Sequence, residues 1–519
     1  MKSAMAAFLL TAFIVVLSLV FKVQTAQASG TIYIRGDGSI DPQTTSIFTT
    51  DNFTYTFTGN INDSIEVERD SIVIDGQGYT IQVASGTGIA LEGRNNVTIK
   101  NIGIRLSKSP NFGVFLDHAS NNTICGNDIT VSDIGIGLQN NSTGNRIHGN
   151  DITKGKFGPG IYLYQYSSNN VISGNTIADN VGGIVFTDGN SNNTVIGNNI
   201  VNNRGYNIPG IMLGMSSGNS IIGNNIANNS YHGVEFLSSS DNIMVGNNIV
   251  DNGFYGLRLG GSSNNSIVGN NISNNQCGIY LYASGDNRIF HNNLINNTSQ
   301  ILEEGMFFST NVWDNGLEGN YWSNYTCQDL NYDGICDNPY VMDSNDTDRY
   351  PLMGMFSEFD LAPYGKTENV TIISNSTVAN LSLLTWLTSP TAVFQPGQSF
   401  VQFTATGENG GVGFCRLMIP RTVLNSSSYI VLVDSQPVNA TELILSNSTH
   451  VYLYFTYTHS THEVIVTIPE FSPLFMLLLF MIVTVPAVMV FRKQHYATQK
   501  SSRSIVWCVC GKVLSNQSM

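Results

Sequence analysis

From Ser120 to Leu294 the chain repeats itself. The segments SNNTICGNDI, TGNRIHGNDI, SNNVISGNTI, SNNTVIGNNI, SGNSIIGNNI, SDNIMVGNNI, SNNSIVGNNI and GDNRIFHNNL carry one pattern. The marker glycines Gly126, Gly149, Gly174, Gly197, Gly223, Gly246 and Gly269 lie 23, 25, 23, 26, 23 and 23 residues apart. His291 takes the same place 22 residues further on. A fixed period of this size marks a stacked-repeat architecture, because one unit alone cannot bury its apolar side.

The residues select the kind of repeat. No copy places apolar residues at helical spacing, which excludes helical repeats. Within 193–216 the segments around Val195, Ile200 and the pair Ile211 and Leu213 are short and apolar, with Asn, Gly and Ser between them. Short alternating segments broken by turn residues are strands. About three strands per copy fit one coil of a parallel β-helix, with coils stacked at about 4.8 Å. After the second Gly of each copy an apolar-x-apolar pair recurs: Val114/Leu116, Ile136/Leu138, Ile161/Leu163, Ile184/Phe186, Ile211/Leu213, Val234/Phe236, Leu257/Leu259 and Ile279/Leu281. A period of two points both members inward. Asn127, Asn150, Asn175, Asn198, Asn224, Asn247 and Asn270 follow the marker Gly, and stacked amides of this kind can hydrogen-bond along the axis. So much Asn reads as disorder on composition alone, but the apolar columns never lose phase.

These repeats resemble the NosD-like right-handed β-helix proteins, whose repeats are called carbohydrate-binding and sugar-hydrolysis repeats. The resemblance implies a right-handed parallel β-helix, and the segments that follow add a small β-sandwich and one C-terminal transmembrane helix to an otherwise all-β chain. It implies less about function, since one fold hosts many functions.

Several further segments flank the repeat. Residues 1–28 read as a signal peptide, with Lys2, the apolar run Ala6–Phe21 and the small-x-small site Ala26-Gln27-Ala28. An uncleaved membrane anchor is the alternative, and either way the rest is exported. The β-helix is expected over 29–310, its first coils irregular because a terminal coil must close the apolar end. The opening resembles that of archaeal family members. A net charge of −14 with 12% charged residues excludes nucleic acid as a partner, which needs a basic face. Sequons such as Asn52, Asn96, Asn121, Asn192, Asn264, Asn296, Asn375 and Asn447 offer sites for glycans in an exported protein.

Residues 311–364 resemble the closing segment of many family members. There Trp313, Tyr321, Trp322 and Tyr325 can cap the core. The spacing Asp329-x-Asn331-x-Asp333-Gly334-x-x-Asp337 is that of a calcium loop, with Ile335 offering its carbonyl. Tyr340 stands where the EF-hand has its bidentate Glu, so Asp337, Asp343 or Asp346 would complete the shell; a polar turn without metal is the alternative. Cys327 and Cys336 bracket the loop, and an exported protein favours a local disulfide there. Residues 365–468 show strands separated by turns at the intervals of a β-sandwich, and resemble a spacer found beside archaeal membrane anchors. Residues 469–491 hold an apolar run long enough to span a bilayer. Arg492, Lys493, Lys500, Arg503 and Lys512 follow it and place 492–519 in the cytoplasm. Pro469-Glu470-Phe471 resembles an archaeal sorting signal, although the long tail with Cys508 and Cys510 departs from that pattern.

The candidate binding face is the outward column Phe115, Gly137, Tyr162, Val185, Met212, Glu235, Arg258, Tyr280, with a second column of Asp117, Gln139, Tyr164, Thr187, Leu237 and Tyr282. Insertions at 156–160 and 206–210 project beside it. Tyr162, Tyr164, Tyr280 and Tyr282 are the expected sugar contacts, since an aromatic ring offers a flat apolar face with a polar tip. Candidate acid–base carboxylates are Asp117, Asp133, Asp179, Asp188, Glu235 and Asp251, of which Asp179 and Asp251 sit in a column of turn asparagines. The family name raises copper, but Met212 and Met215 are isolated and His118, His148, His232 and His291 are scattered, so no copper site is expected. The expected protein is a membrane-anchored surface protein that binds polysaccharide or glycan. A hydrolase, lyase or epimerase on the same face is the enzymatic alternative, and a surface-coat or adhesion protein the structural one. Two carboxylates facing one cleft across adjacent coils would favour the enzyme.

Overall fold

The computed structural model describes residues 30–84, 86–108, 111–305, 310–385 and 399–469. The expected signal peptide, the tail and all but the first residue of the expected transmembrane segment lie outside these. Among the described residues no helix is long and apolar enough to cross a membrane.

Three long sheets build the first unit, of 13, 12 and 11 strands. They are called here the long, second and third faces. One coil contributes Pro159–Tyr164 to the long face, Val171–Ser173 to the second and Thr176–Ala178 to the third. The next coil returns to the long face at Gly182–Thr187. Neighbouring coils pair in parallel and in register, Ile161 with Ile184, Ile172 with Val195 and Ile177 with Ile200. Each coil thereby stacks like on like. Ile161, Leu163, Ile172 and Ile177 are wholly buried, two from the long face and one from each other face. The expected apolar pairs all lie in this core.

The corners follow a two-residue rule. A residue in the left-handed region turns the chain, and the Asn after it points inward. The marker glycines fill the first position between the second and third faces, as at Gly174 with φ 59°, and His291 adopts φ 60° there. Gly is the default at such a position because it has no Cβ penalty. Asn169 and Asn192 do the same between the long and second faces, and Asp179 and Asn202 between the third and long faces. Asp251 is a third-to-long corner residue too, so both Asp179 and Asp251 serve as turns.

The inward asparagines form three ladders, one per corner. In the marker column Asn175 Nδ2 donates to Asn198 Oδ1 at 2.9 Å, and Asn198 Nδ2 to Asn224 Oδ1 at 3.0 Å. Asn170, Asn193 and Asn219 repeat this at a second corner, Asn203, Asn229 and Asn252 at the third. Each Oδ1 also accepts the backbone N–H of the rung before it, as Asn198 does from Asn175 at 3.0 Å. The polar groups freed at each turn are thus satisfied inside the core, which a buried backbone requires.

The second glycine of each copy answers a packing constraint. A Cβ on Gly135 would stand 2.3 Å from Ile152 Cγ2 and 2.5 Å from the Gly160 carbonyl oxygen of the next coil.

Every rung donates toward the C-terminal end, so the last rungs need acceptors. Asn311 gives its N–H to Asp346 Oδ1 at 2.7 Å, and Asn320 gives its N–H to Asp348 Oδ2 at 2.8 Å. Both carboxylates are fully buried. Burial, first among its causes, pushes Asp348 up to about 6 against three N–H donors, among them Trp322 Nε1 at 2.8 Å. Trp313 and Trp322 close the core, and Tyr340 stacks on Trp322 at 4.3 Å. The closing segment therefore supplies the last rung of the marker ladder, and its strand Tyr321–Trp322 ends the third face.

The second unit has two five-stranded sheets. Val370 and Ile372 of one share a core with Val401 and Phe403 of the other.

Candidate functional site

The long face is the only one of the three built from strands of up to seven residues, and its outer surface carries the candidate residues. Tyr162 and Tyr164 project from one strand with ring centroids 5.8 Å apart and planes at 23°. Tyr162 Oη lies 3.0 Å from Thr187 Oγ1 of the next coil. Tyr166, just past that strand, is 63% exposed. Its ring covers the place where a Cβ of Gly189 would stand, 2.6 Å from Cε1. Only glycine leaves room for that ring.

Tyr280 and Tyr282 are five coil steps away along the face, about 24 Å. They are not a matched pair of sugar contacts. Tyr282 is 48% exposed, but Tyr280 is only 7% exposed. Its ring stacks on Tyr255 at 4.6 Å, and its hydroxyl donates to Glu304 Oε2 at 2.9 Å. The physical reason is the ladder itself: an outward side chain has a neighbour one coil away on each side, and rings at that spacing cover one another's faces.

The same self-burial governs Glu235 and His232. Glu235 pairs with Arg258, whose guanidinium lies 5.7 Å over the Tyr280 ring. Burial raises the Glu235 pKa, and the Arg258 charge opposes that. The His232 ring stacks on Tyr255 at 4.7 Å and 6°, and Nδ1 accepts the Tyr255 N–H at 3.3 Å. Burial, with the Arg258 charge, pushes His232 down to about 3, so it is neutral at physiological pH.

At the other end of the face the register assembles carboxylates that the irregular early coils concealed. Asp117 pairs with Glu92, and Val67 with Leu91, which brings Glu68 beside Glu92. Asp117 Oδ1 is 2.7 Å from His118 Nδ1, and Asp117 accepts from Gln139 Nε2 at 3.0 Å and Asn140 Nδ2 at 2.9 Å. Glu66, Glu68, Glu92, Arg94 and His118 line a cleft of about 480 Å³. Of the remaining sequence candidates, Asp188 is a corner residue with φ 63°, and the Asp133 N–H donates to Asn111 Oδ1 at 3.1 Å.

The expected calcium positions are divided between the two units. Asn331 and Asp333 group with the second unit, Asp329, Ile335 and Asp337 with the first. Asp337 Oδ2 accepts the Leu330 N–H at 2.7 Å, and Asn331 Nδ2 donates to Asp333 Oδ2 at 3.2 Å. Cys327 and Cys336 form a disulfide with Cα atoms 5.6 Å apart. Among the described residues no three His, Cys, Asp or Glu side chains converge as a metal site.

Parallel sheets closing three faces around one apolar core define a parallel β-helix repeat protein. Residues 45–209 match the right-handed β-helix region family, and residues 205–327 match the periplasmic copper-binding protein NosD family. The two matches, together with the parallel solenoid, support a NosD-like right-handed β-helix family. No curated protein matches it by sequence. Among solved structures it is similar to a mutant of a periplasmic alginate epimerase, 16% identical, TM-score 0.38, covering 51% of this chain and 79% of that one. It is also similar to the A-module of an Azotobacter vinelandii mannuronan C-5 epimerase, 16% identical, TM-score 0.32, covering 51% and 84%. A third is the catalytic domain of a GH87 α-1,3-glucanase in complex with nigerose, 14% identical, TM-score 0.30, covering 50% and 63%.

Copper does not fit the described cysteine and histidines of the matched segment. Cys277 is a buried thiol pushed up to about 12, His232 is packed between rings, and His291 pairs with Glu318 at 2.8 Å. A copper ligand must be deprotonated and reachable.

Proposed function

We propose that the protein binds a polysaccharide or glycan along the outer surface of the long face. The observation that carries this is Tyr166, an exposed ring laid over Gly189 beside the near-parallel Tyr162 and Tyr164. Three tyrosines on five residues of chain present apolar area with hydroxyl tips, the chemistry that suits a sugar ring. Replacing Tyr162 and Tyr164 by Ala, and Tyr166 by Ala separately, weakens binding by roughly 0.5–1.5 kcal/mol per lost stacking contact. Titration of the full-length protein with a panel of oligosaccharides reads this. Unchanged affinity for every retained glycan in all variants would refute the aromatic platform.

Export and anchoring complete the proposal. They rest on the apolar runs and the basic residues after the second run. Calcium at Asp329, Asn331, Asp333, Ile335 and Asp337 is proposed from the spacing of those oxygens.

One observation favours a second reading, a polysaccharide-active enzyme. Glu92 and Asp117 stand in register on adjacent coils, their backbones about 4.8 Å apart, and a pair of neighbouring carboxylates is what glycoside hydrolysis uses. Release of reducing ends from a bound glycan, lost in Glu92→Gln, would establish it.

A further inference from the structure

We propose that the glycan is an uncharged or amino-bearing chain lying along the solenoid axis, one end in the cleft at Glu92, and that acidic polysaccharides are rejected. This rests on the reading of the long face as a glycan surface.

The alignment comes from the register. Glu92, Asp117, Gln139 and Tyr164 occupy one outward column on four successive coils. Three steps of about 4.8 Å put the cleft roughly 14 Å from the tyrosine platform, in line with the axis. A ligand touching both must be an extended chain rather than one sugar.

The charge preference comes from how each basic side chain lining the cleft is already engaged. Arg35 is 2.7 Å from Glu68 and 2.6 Å from Asp41. Arg94 lies 3.8 Å from Asp70, and His118 is bound to Asp117. Glu66 and Glu92 line the same cleft and make no ion pair among the described residues. Farther along the floor of the face, Arg258 is held by Glu235. Arg204 pairs with Asp179 at a corner, and Lys154 and Lys156 stand at the corner of the preceding coil rather than on the strands. Carboxylate recognition uses a free guanidinium or ammonium in charge-assisted contact. Among the described residues the floor offers a sugar carboxylate no such group outside an ion pair, and instead presents carboxylates as acceptors for hydroxyl or ammonium donors. Like charges brought into one cleft repel, and the repulsion is screened by salt.

The test uses the full-length protein and three labelled hexasaccharides: a neutral β-glucan, a glucosamine oligomer and an oligouronate. At about 0.02 M salt the oligouronate is expected to bind at least tenfold more weakly than the neutral chain, with the gap narrowing at about 0.3 M. The double substitution Glu66→Gln, Glu92→Gln should close much of the gap, and Tyr166→Ala should weaken every chain that binds. An oligouronate that binds the parent as tightly as the neutral chain, or a gap the double substitution leaves intact, overturns this proposal and leaves the glycan reading standing. Binding by none of the three overturns the glycan reading itself.

Discussion

Asn198→Ala tests whether the amide ladders hold the solenoid together. Asn198 Oδ1 accepts from the backbone N–H of Asn175 at 3.0 Å and from its Nδ2 at 2.9 Å. Its own Nδ2 donates to the Ile172 carbonyl at 2.9 Å and to Asn224 Oδ1 at 3.0 Å. The alanine leaves two donors of Asn175 without that acceptor, in a site from which water is excluded. A buried group stranded in this way costs about 1–3 kcal/mol. The expected loss is therefore roughly 2–6 kcal/mol, a large part of the 5–15 kcal/mol that holds a typical domain. Coils contact only their neighbours, so the damage should be local before it is global. Hydrogen exchange should speed up first in the coils holding Asn175 and Asn224, and the denaturation midpoint should fall. Asn199→Ala is the control. Asn199 points outward on the third face and only joins an outer amide pair with Asn225 at 2.8 Å, so it should lose less than about 1 kcal/mol. If Asn198→Ala and Asn199→Ala are equally mild, the ladders are a consequence of the apolar stacking and not a support for it.

Other outcomes follow from the cap, the loop and the termini. Asp348 holds its proton more tightly folded, at about 6, than unfolded, at about 3.9. Its contribution to stability therefore rises as pH falls from 7 toward 4, by roughly 3 kcal/mol in full, and Asp348→Asn should flatten that part of the stability–pH curve; parallel curves would refute it. In chelator-treated full-length protein, calcium should stabilise the fold by about 2.7 kcal/mol at a hundredfold excess over Kd and so raise the melting temperature, and Asp333→Ala should abolish the rise. An unchanged melting curve leaves only the polar turn. Protease added to intact cells should remove the β-helix, and its complete protection would refute the export reading.

The fold was legible because its columns are periodic. Twenty-three-residue spacing, the apolar-x-apolar pairs and the marker Gly-Asn survive without any partner. Only one of the three amide ladders was read from the sequence. The other two were present as Asn170/Asn193 and Asn203/Asn229, but no invariant Gly announces those corners. Asp, Asn and Gly share the left-handed position there, so the corner motif is masked by its own degeneracy. The carboxylate column was missed for a related reason. Asp117 was singled out, but Glu92 and Glu68 lie in coils that lack the refrain, and only the pairing of Asp117 with Glu92 reveals them as neighbours.

Outward and exposed are different properties in a parallel solenoid, and this separates Tyr166 from Tyr280. The sequence can tell which side of a strand a residue occupies. It cannot easily tell how much of that side the next coil covers. Strand positions flanked by large side chains on both neighbouring coils are covered: Tyr280, Glu235 and Val185 are outward and all less than a tenth exposed, whereas Tyr282 at a strand end is 48% exposed. Irregular positions escape. Asn141, Tyr166 and Gly189 follow a left-handed residue and themselves adopt positive φ, a wider corner than the one at Ser238. Tyr206, in the second insertion, is 85% exposed, and Phe157, in the first, 67%. A stacked array hides most where like side chains flank one another, and offers most where the repeat breaks. On that ground the most exposed ring of the platform is to be sought at the corner that follows a long-face strand, as at Tyr166, with Tyr162 and Tyr164 of the strand itself completing the surface.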